Sequence, residues 1–175
     1  MKKITLFVLS GLLFMACSKE DISTNYDENG LEVNRIGDEP DDPTSPGTST
    51  DLIAGQHTDV GTVSVSTTIT DGTVTYETSG DWVLLETHLY VGTIEDLPST
   101  GNGSPKIGHF PQDGTHDNNT TSVSYTIDPI AEGTCTFVFA HSVVYNTVTG
   151  VEETAWADGL EAAGNNWAMY FEACN

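Results

Sequence analysis

We predict an all-β domain for residues 51–175, and three features of the sequence lead to that prediction. Short runs of alternating apolar and polar residues recur there, with the period of two that half-buried strands show. Tight-turn dipeptides such as Asp71-Gly72 separate the runs. Strand patterns do not alternate with helix patterns, which argues against a parallel α/β sheet. An antiparallel β-sandwich of immunoglobulin-like size, with about seven strands, fits best, and a small β-barrel is the alternative.

The strands are placed by their alternation or by their apolar content. These patterns predict strands at 60–70, 74–78, 82–91, 120–127, 134–145 and 167–171. Residues 134–145 are apolar on both faces, which is typical of a central strand that is buried on both sides. A short helical turn is expected at 155–163. Gly and Pro interrupt residues 92–119, so we expect a long irregular loop there, of a kind that is usually functional or mobile.

The amino terminus resembles a bacterial lipoprotein signal peptide. Lys2 and Lys3 make a basic start, residues 4–16 are mostly apolar, and Cys17 follows a small residue, Ala16. The apolar run is too short to span a bilayer stably but suits the core of a signal peptide. The resemblance implies cleavage after residues 1–16 and attachment of lipid to Cys17. A plain signal peptide followed by an incidental cysteine is the alternative.

The residues after Cys17 indicate a localisation signal followed by a disordered tether. Glu20 and Asp21 resemble the acidic export signal of surface lipoproteins in Bacteroidetes, which implies an outer membrane lipoprotein displayed on the cell surface. Residues 18–50 hold few large apolar side chains, and 37–50 are acidic and rich in Pro, Ser and Thr. Such a segment cannot bury enough surface to offset the entropy lost on ordering. We therefore predict that residues 17–50 form a disordered tether behind the lipid anchor.

The charge of the chain excludes one class of partner. Five Lys+Arg face 26 Asp+Glu, for a net charge of −21. Removal of residues 1–16 would leave Lys19, Arg35 and Lys106 against the 26 acids, or 3 − 26 = −23. We expect no nucleic-acid partner, because such a chain has no cationic surface for phosphates. It also repels anionic lipid, so the lipid anchor alone would hold it to the membrane.

The remaining two cysteines predict a disulfide. Cys135 opens the predicted central strand and Cys174 lies at the end of the chain. A disulfide between them would fix the last strand to the central one. In the chain-entropy model, closing a loop of this length increases the free energy of unfolding by about 4 kcal/mol. Exported proteins commonly carry such bonds. Two unpaired thiols are the alternative.

Five residues are the candidates for ligand binding. Glu86, His88 and Tyr90 share one face of a predicted strand, and His141 lies within the predicted central strand. If the two strands are neighbours, the imidazoles and the carboxylate converge and form a hydrogen-bonded structural cluster, a ligand contact or a Zn²⁺ site. Trp156 lies among carboxylates, and its ring would stack on a sugar if it is exposed. Otherwise it belongs to the core.

Other chemistry has weaker support in the sequence. Residues 113–119 offer the oxygen ligands that Ca²⁺ prefers, but without the spacing of an EF-hand, and a polar loop is the plainer interpretation. The chain has no Gly-x-Ser-x-Gly elbow, no Cys-x-x-Cys pair and no phosphate-binding glycine loop. We therefore predict neither catalytic residues nor an enzyme. No cofactor is predicted either, with Ca²⁺ and Zn²⁺ as the alternatives to consider.

Several segments of the domain resemble one module. They are residues 54–63, 86–92, 108–111, 140–144, 153–159 and 166–171. Together they are similar to an uncharacterised β-sandwich module that recurs in secreted bacterial and archaeal surface proteins. The resemblance implies an extracellular location and a β fold, and it assigns no catalytic residue.

Three functional classes follow from these observations. The first is a surface lipoprotein that displays a non-catalytic binding module for a glycan or another envelope ligand. The second is a structural or adhesive protein that contacts other surface proteins. The third is a metal-dependent enzyme, which would require Glu86, His88 and His141 to surround an open coordination position. Exposed rings on one face favour the first class, and an uncovered strand edge or apolar patch favours the second.

Overall fold

The computed structural model describes residues 47–175, which belong to the unit Asp42–Asn175. The predicted signal peptide, the lipidated Cys17 and residues 17–46 of the predicted tether lie outside the described residues, and they stay predictions.

Ten strands carry the described part of the chain. They are β1 (Thr48–Ala54), β2 (Thr58–Thr67), β3 (Gly72–Thr78), β4 (Trp82–Gly92), β5 (Gln112–Thr115), β6 (Ser122–Ile127), β7 (Cys135–Asn146), β8 (Glu152–Ala157), β9 (Leu160–Glu161) and β10 (Met169–Cys174). Among residues 47–175 the helical content is one 3₁₀ turn, Ile107–His109. The prediction of an all-β domain is therefore confirmed.

The strands form one antiparallel sheet that nearly closes on itself. The order is β5-β4-β7-β8-β1-β2-β3-β6, and β10 pairs with β7 and with β9. The two end strands, β5 and β6, meet where Gln112 Nε2 donates a hydrogen bond to the Thr126 carbonyl oxygen at 2.7 Å. This continuous sheet corresponds to the small-barrel alternative rather than to two separate sheets. We call the line where β5 and β6 meet the seam.

Extra residues on β2, where it pairs with β1, and on β4, where it pairs with β7, help the sheet to curl. The pairing register shifts between Leu52 and Ile53 on β1 and between Leu84 and Glu86 on β4. An extra residue on one strand bends that strand and increases its twist, which closure requires. Gly61 follows the extra residue on β2, and a Cβ atom at this position would collide with the Glu77 carbonyl oxygen on β3. No side chain larger than hydrogen fits at that position.

Alternation along the strands fills the interior of the sheet. Val63 and Val65 of β2 point inward, and Ser64 and Ser66 between and after them are more exposed. The fully buried interior side chains include Leu52, Val60, Val74, Tyr76, Leu84, Leu89, Val138 and Val144. Each such burial contributes about 1.5–3 kcal/mol relative to an exposed side chain. This interior cluster is the main core.

A second apolar cluster covers the outer face of β4, β7 and β8. It consists of Tyr90, Leu97, Phe110, Phe139, Trp156 and Ala168, with partly buried residues around them. Leu97 and Phe110 come from the connection between β4 and β5, and Ala168 precedes β10. These connections therefore fold back over the sheet, and β7 is buried on both faces as its sequence predicts.

The last strand is fixed to β7 by a disulfide. Cys135 and Cys174 are directly opposite in the register of β7 and β10, and their sulfur atoms are bonded. The predicted pairing is thus present in the structure. Residues 133 and 134 add backbone hydrogen bonds to Asn175, so the carboxyl terminus is held on both sides of the bond.

Three parts of the sequence prediction differ from the structure. Within the irregular loop predicted at 92–119, residues Gln112–Thr115 form β5, because they pair with β4. Residues 155–163, expected as a helical turn, contain the end of β8 and all of β9. The alternation explains this, because Ala155 and Ala157 enter the main core while Trp156 between them enters the outer cluster. The first strand begins at Thr48, inside the predicted tether of 17–50. Its first residues are polar, and pairing with β2 orders them.

Removing the disulfide should destabilise the domain. The bond joins residues 39 positions apart, and the chain-entropy model gives about 4 kcal/mol for a loop of that length. We expect Cys135→Ala/Cys174→Ala to lower the free energy of unfolding by about 2–4 kcal/mol in urea titrations. Cys17→Ser controls for cysteine replacement and should leave the unfolding midpoint unchanged. Equal midpoints for all three proteins would contradict this role.

Candidate functional site

Four side chains form a row across the outer face of the sheet, which we call the imidazole row. The register pairs Asp113 on β5 with His88 on β4. It also pairs His88 with His141 on β7, and His141 with Trp156 on β8. Directly opposed residues of antiparallel strands project from the same face, so these side chains are neighbours. Glu86, two residues before His88, lies on that face as well.

The structure brings together the five ligand-binding candidates Glu86, His88, Tyr90, His141 and Trp156. The ring centroids of His88 and His141 are 5.6 Å apart, and those of His141 and Trp156 are 4.9 Å apart, edge to face. Glu86 Oε2 lies 3.6 Å from His88 Nε2. Tyr90 follows on the same face of β4 and packs its ring against Phe139. The predicted neighbourhood of β4 and β7 is therefore present.

Burial separates these five residues into two groups. Trp156, His141 and Tyr90 are 3%, 5% and 7% exposed. The Trp156 ring consequently has no free face for stacking on a sugar, and it belongs to the core, which was the alternative that the sequence left open. The side chains of His88 and Glu86 are 18% and 49% exposed. These two residues are the ones through which the group reaches solvent.

Burial also determines the ionisation of the row. Desolvation, together with the neighbouring His88 ring, lowers the pKa of His141 to about 3. His141 is therefore neutral at pH 7. Desolvation raises the pKa of Tyr90, and nearby Asp96 adds to that shift. Its hydroxyl stays protonated and donates to the Thr93 carbonyl oxygen at 2.6 Å.

Two nitrogen atoms of the row are buried without a hydrogen-bond partner among the described residues. They are Nδ1 of His88 and Nδ1 of His141. Buried polar atoms are normally paired, because an unpaired one costs about 1–3 kcal/mol. One group of three metal-ligating residues has its donor atoms within 4.8 Å of one another in residues 47–175: Cys135, Glu172 and Cys174. The disulfide occupies both sulfur atoms of that group.

A groove opens beside the seam, at the end of the sheet near the disulfide. Its volume is about 590 Å³, within the range of roughly 300–1,000 Å³ that small-molecule sites occupy. Hydrogen-bonding side chains in its lining are Gln112, Thr126, Asp128, Thr134 and Thr136. Apolar lining comes from Val91, Pro111, Ile127, Pro129, Ile130 and Ala131. We call this the seam groove.

Polar contacts inside the sheet hold the seam above the groove. The hydroxyl of Thr87, which is fully buried, lies 2.7 Å from His116 Nε2 and 2.6 Å from the Tyr125 hydroxyl. Burial lowers the pKa of His116, so this imidazole is held in the neutral form. Together with the Gln112 bond, the network joins β4, β6 and the residue after β5 without a full ladder of backbone hydrogen bonds.

The sequence analysis did not identify the residues of the seam groove as site residues. Pro111 was visible as part of a long loop, and residues 128 and 129 as the end of a strand. Neither signal indicates that the two segments meet, because closure of the sheet brings them together from 17 positions apart (128 − 111). The length of the loop at 92–119 was the one indication of function near the groove.

Comparisons with known proteins give no family for this chain. No family model, curated protein or solved structure matches it. The resemblance to a secreted surface module therefore stays a prediction. Within residues 47–175, no helix has the length and apolar character to cross a membrane.

The low pKa of His141 predicts a pH-dependent stability. The unfolded chain binds a proton at this imidazole below pH 6.5 and the folded chain does not until about pH 3, so stability falls as the pH falls. Between pH 7.5 and 5, wild type should lose about 2 kcal/mol more than His141→Phe. Urea titrations in EDTA at both pH values measure this, with His57→Gln as the exposed control. Equal losses in wild type and His141→Phe would contradict the buried neutral state.

Proposed function

We propose that this protein is a cell-surface lipoprotein whose domain is a non-catalytic binding module for an uncharged glycan. The observation that carries the proposal is the seam groove. The predicted lipid anchor and acidic tether support surface display, and the groove supplies a place for a ligand to bind. The domain would then capture or recognise a glycan outside the cell.

The chemistry of the groove suits a sugar. A sugar ring offers hydroxyl groups along its edge and C–H groups on its faces. The groove offers the Asp128 carboxylate and three threonine hydroxyls beside two prolines. The hydroxyls of Thr134 and Thr136 donate to backbone carbonyl oxygens, so toward a ligand they act as hydrogen-bond acceptors. Sites of this kind fix a ligand through a few polar groups and bury the rest of it against apolar side chains.

The charge of the domain restricts the ligand further. Lys106 is the sole Lys or Arg in residues 47–175, and acidic residues are frequent there. Such a surface repels polyanions and does not bind an acidic sugar through a cation. Asp128 in the groove adds a hydrogen-bond acceptor for hydroxyl groups. A neutral hexose or pentose polymer therefore fits better than a uronic acid or a sulfated glycan.

Contact with another protein is the second candidate. Ile69, in the turn between β2 and β3, has a side chain that is 96% exposed. A single exposed apolar residue is common on a monomer, so Ile69 marks the place to test an adhesive contact and is not by itself evidence for one. Ile69 does not line the groove, but its turn borders the groove-lining residues 127–130, so glycan binding and protein association are both measured for Ile69→Ser and for Ala131→Trp.

Blocking the groove should abolish glycan binding. Ala131 is exposed and lines the groove, so Ala131→Trp fills the space without disturbing the main core. We expect it to weaken binding to a glycan selected on an array at least tenfold, and Asp128→Ala to weaken it severalfold. Val148→Trp is the matched control, because Val148 is 73% exposed and lies in the turn after β7.

The outcomes separate the two candidates. Binding that Ala131→Trp abolishes and Val148→Trp leaves intact supports the seam groove. Binding that neither variant changes removes the groove from the proposal. A folded protein that binds no glycan on a broad array, and that associates with surface proteins in a manner sensitive to Ile69→Ser, favours the adhesive role.

A further inference from the structure

We propose that His88 and His141 bind a divalent transition-metal ion of the Zn²⁺ class on the outer face, with Glu86 as the third protein ligand. The site is formed by β4 and β7 and shares no residue with the seam groove. It does not rest on glycan binding, and each proposal can fail without the other.

The spacing of the imidazoles fits a shared ion. His88 and His141 are directly opposite in the register of β4 and β7, with ring centroids 5.6 Å apart. Two imidazoles that ligate one tetrahedral Zn²⁺ through bonds of about 2.0–2.1 Å have centroids about 5 Å apart. A small adjustment of the two side chains therefore brings one nitrogen of each ring within bonding distance of one ion.

Unpartnered nitrogen atoms give a reason for this spacing. His141 is 95% buried, and its Nδ1 is enclosed without a hydrogen-bond partner among the described residues. Nδ1 of His88 is in the same condition. An apolar position would be filled at lower cost by Leu or Phe, because a buried polar atom without a partner is destabilising. An ion bound by Nδ1 of both imidazoles would give each of these atoms a partner and would orient both rings.

A carboxylate is available to complete the ligand set. Glu86 lies on the same face, and its Oε2 is 3.6 Å from His88 Nε2, which is across the ring from the unpartnered Nδ1. The donor atoms of Glu86, His88 and His141 do not all lie within 4.8 Å of one another in this conformation. Since the Glu86 side chain is half exposed, it can rotate toward the ion without disturbing the core. Water would fill the fourth position.

The donor set determines the class of ion. Two imidazole nitrogens and one carboxylate suit Zn²⁺, Ni²⁺ or Cu²⁺, whereas Ca²⁺ requires six or more oxygen ligands. The acidic Asp113, opposite His88 on β5, adds negative charge beside the site. Binding would join β4 and β7 through side chains on the outer face, where their backbones are already paired.

Isothermal titration calorimetry of the full chain in detergent tests the proposal directly. Every protein carries Cys17→Ser, so the one cysteine outside the disulfide cannot bind metal. Wild type should bind one equivalent of Zn²⁺ and show no heat with Ca²⁺. His88→Gln and His141→Gln should each weaken Zn²⁺ binding by tenfold or more, and Glu86→Gln by less. His57→Gln and His109→Gln remove exposed imidazoles and should leave the affinity within twofold of wild type.

Folding controls keep the test decisive. Circular dichroism and thermal melting of each variant show whether the sheet is intact. If His141→Gln does not fold, the conclusion is drawn from His88→Gln alone, because His88 is more exposed and its replacement disturbs the fold less. Selective loss in the folded His88 variant supports the site. The proposal is overturned if wild type shows no saturable Zn²⁺ binding at millimolar ion, or if the His57 and His109 variants lose affinity as strongly.

Discussion

The strand β7 imposes the constraint on which the rest of the structure depends. It pairs with β4 along one edge and with β8 and β10 along the other, and its side chains are apolar on both faces. One face is covered when the sheet curls into a barrel-like shape around Val138, Ala140 and Val144. The other face requires a second cover, which the connections after β4 and before β10 provide. Polar side chains on β7 are consequently enclosed as well.

Curling of the sheet around β7 has two consequences for function. The ends of the sheet are β5, two strands from β7, and β6, at the opposite end of the strand order. They join through the Gln112 side chain and the buried Thr87 network rather than through a complete backbone ladder. The seam groove forms beside this join. On the outer face, the cover leaves Glu86 and His88 at its margin, next to the enclosed His141. The two proposed sites thus arise from one architecture.

Local patterns explain how much of this could be predicted from the sequence. Alternation along β2, β3 and β4 correctly predicted strands, and the apolar character of both faces of β7 correctly predicted a central strand. The positions of Cys135 and Cys174 correctly predicted the disulfide. Closure could not be predicted, because it depends on which edges meet. The short β5 carries too few residues for a periodic signal. The contact between His88 and His141 could be predicted only on the condition that β4 and β7 are neighbours. The burial of Trp156 could not be predicted, because it depends on connections that fold back over the sheet.

Native-state hydrogen exchange, followed residue by residue by NMR, tests this architecture most directly. Amides of β7 should exchange only through global unfolding, because a local opening of β7 would expose apolar surface on both of its faces. Amides of β5 and of the seam-facing edge of β6 should exchange with distinctly lower opening free energies. Protection at the seam equal to that of β7 would show that the sheet is uniformly closed, and exchange of β7 by local opening would contradict its central place.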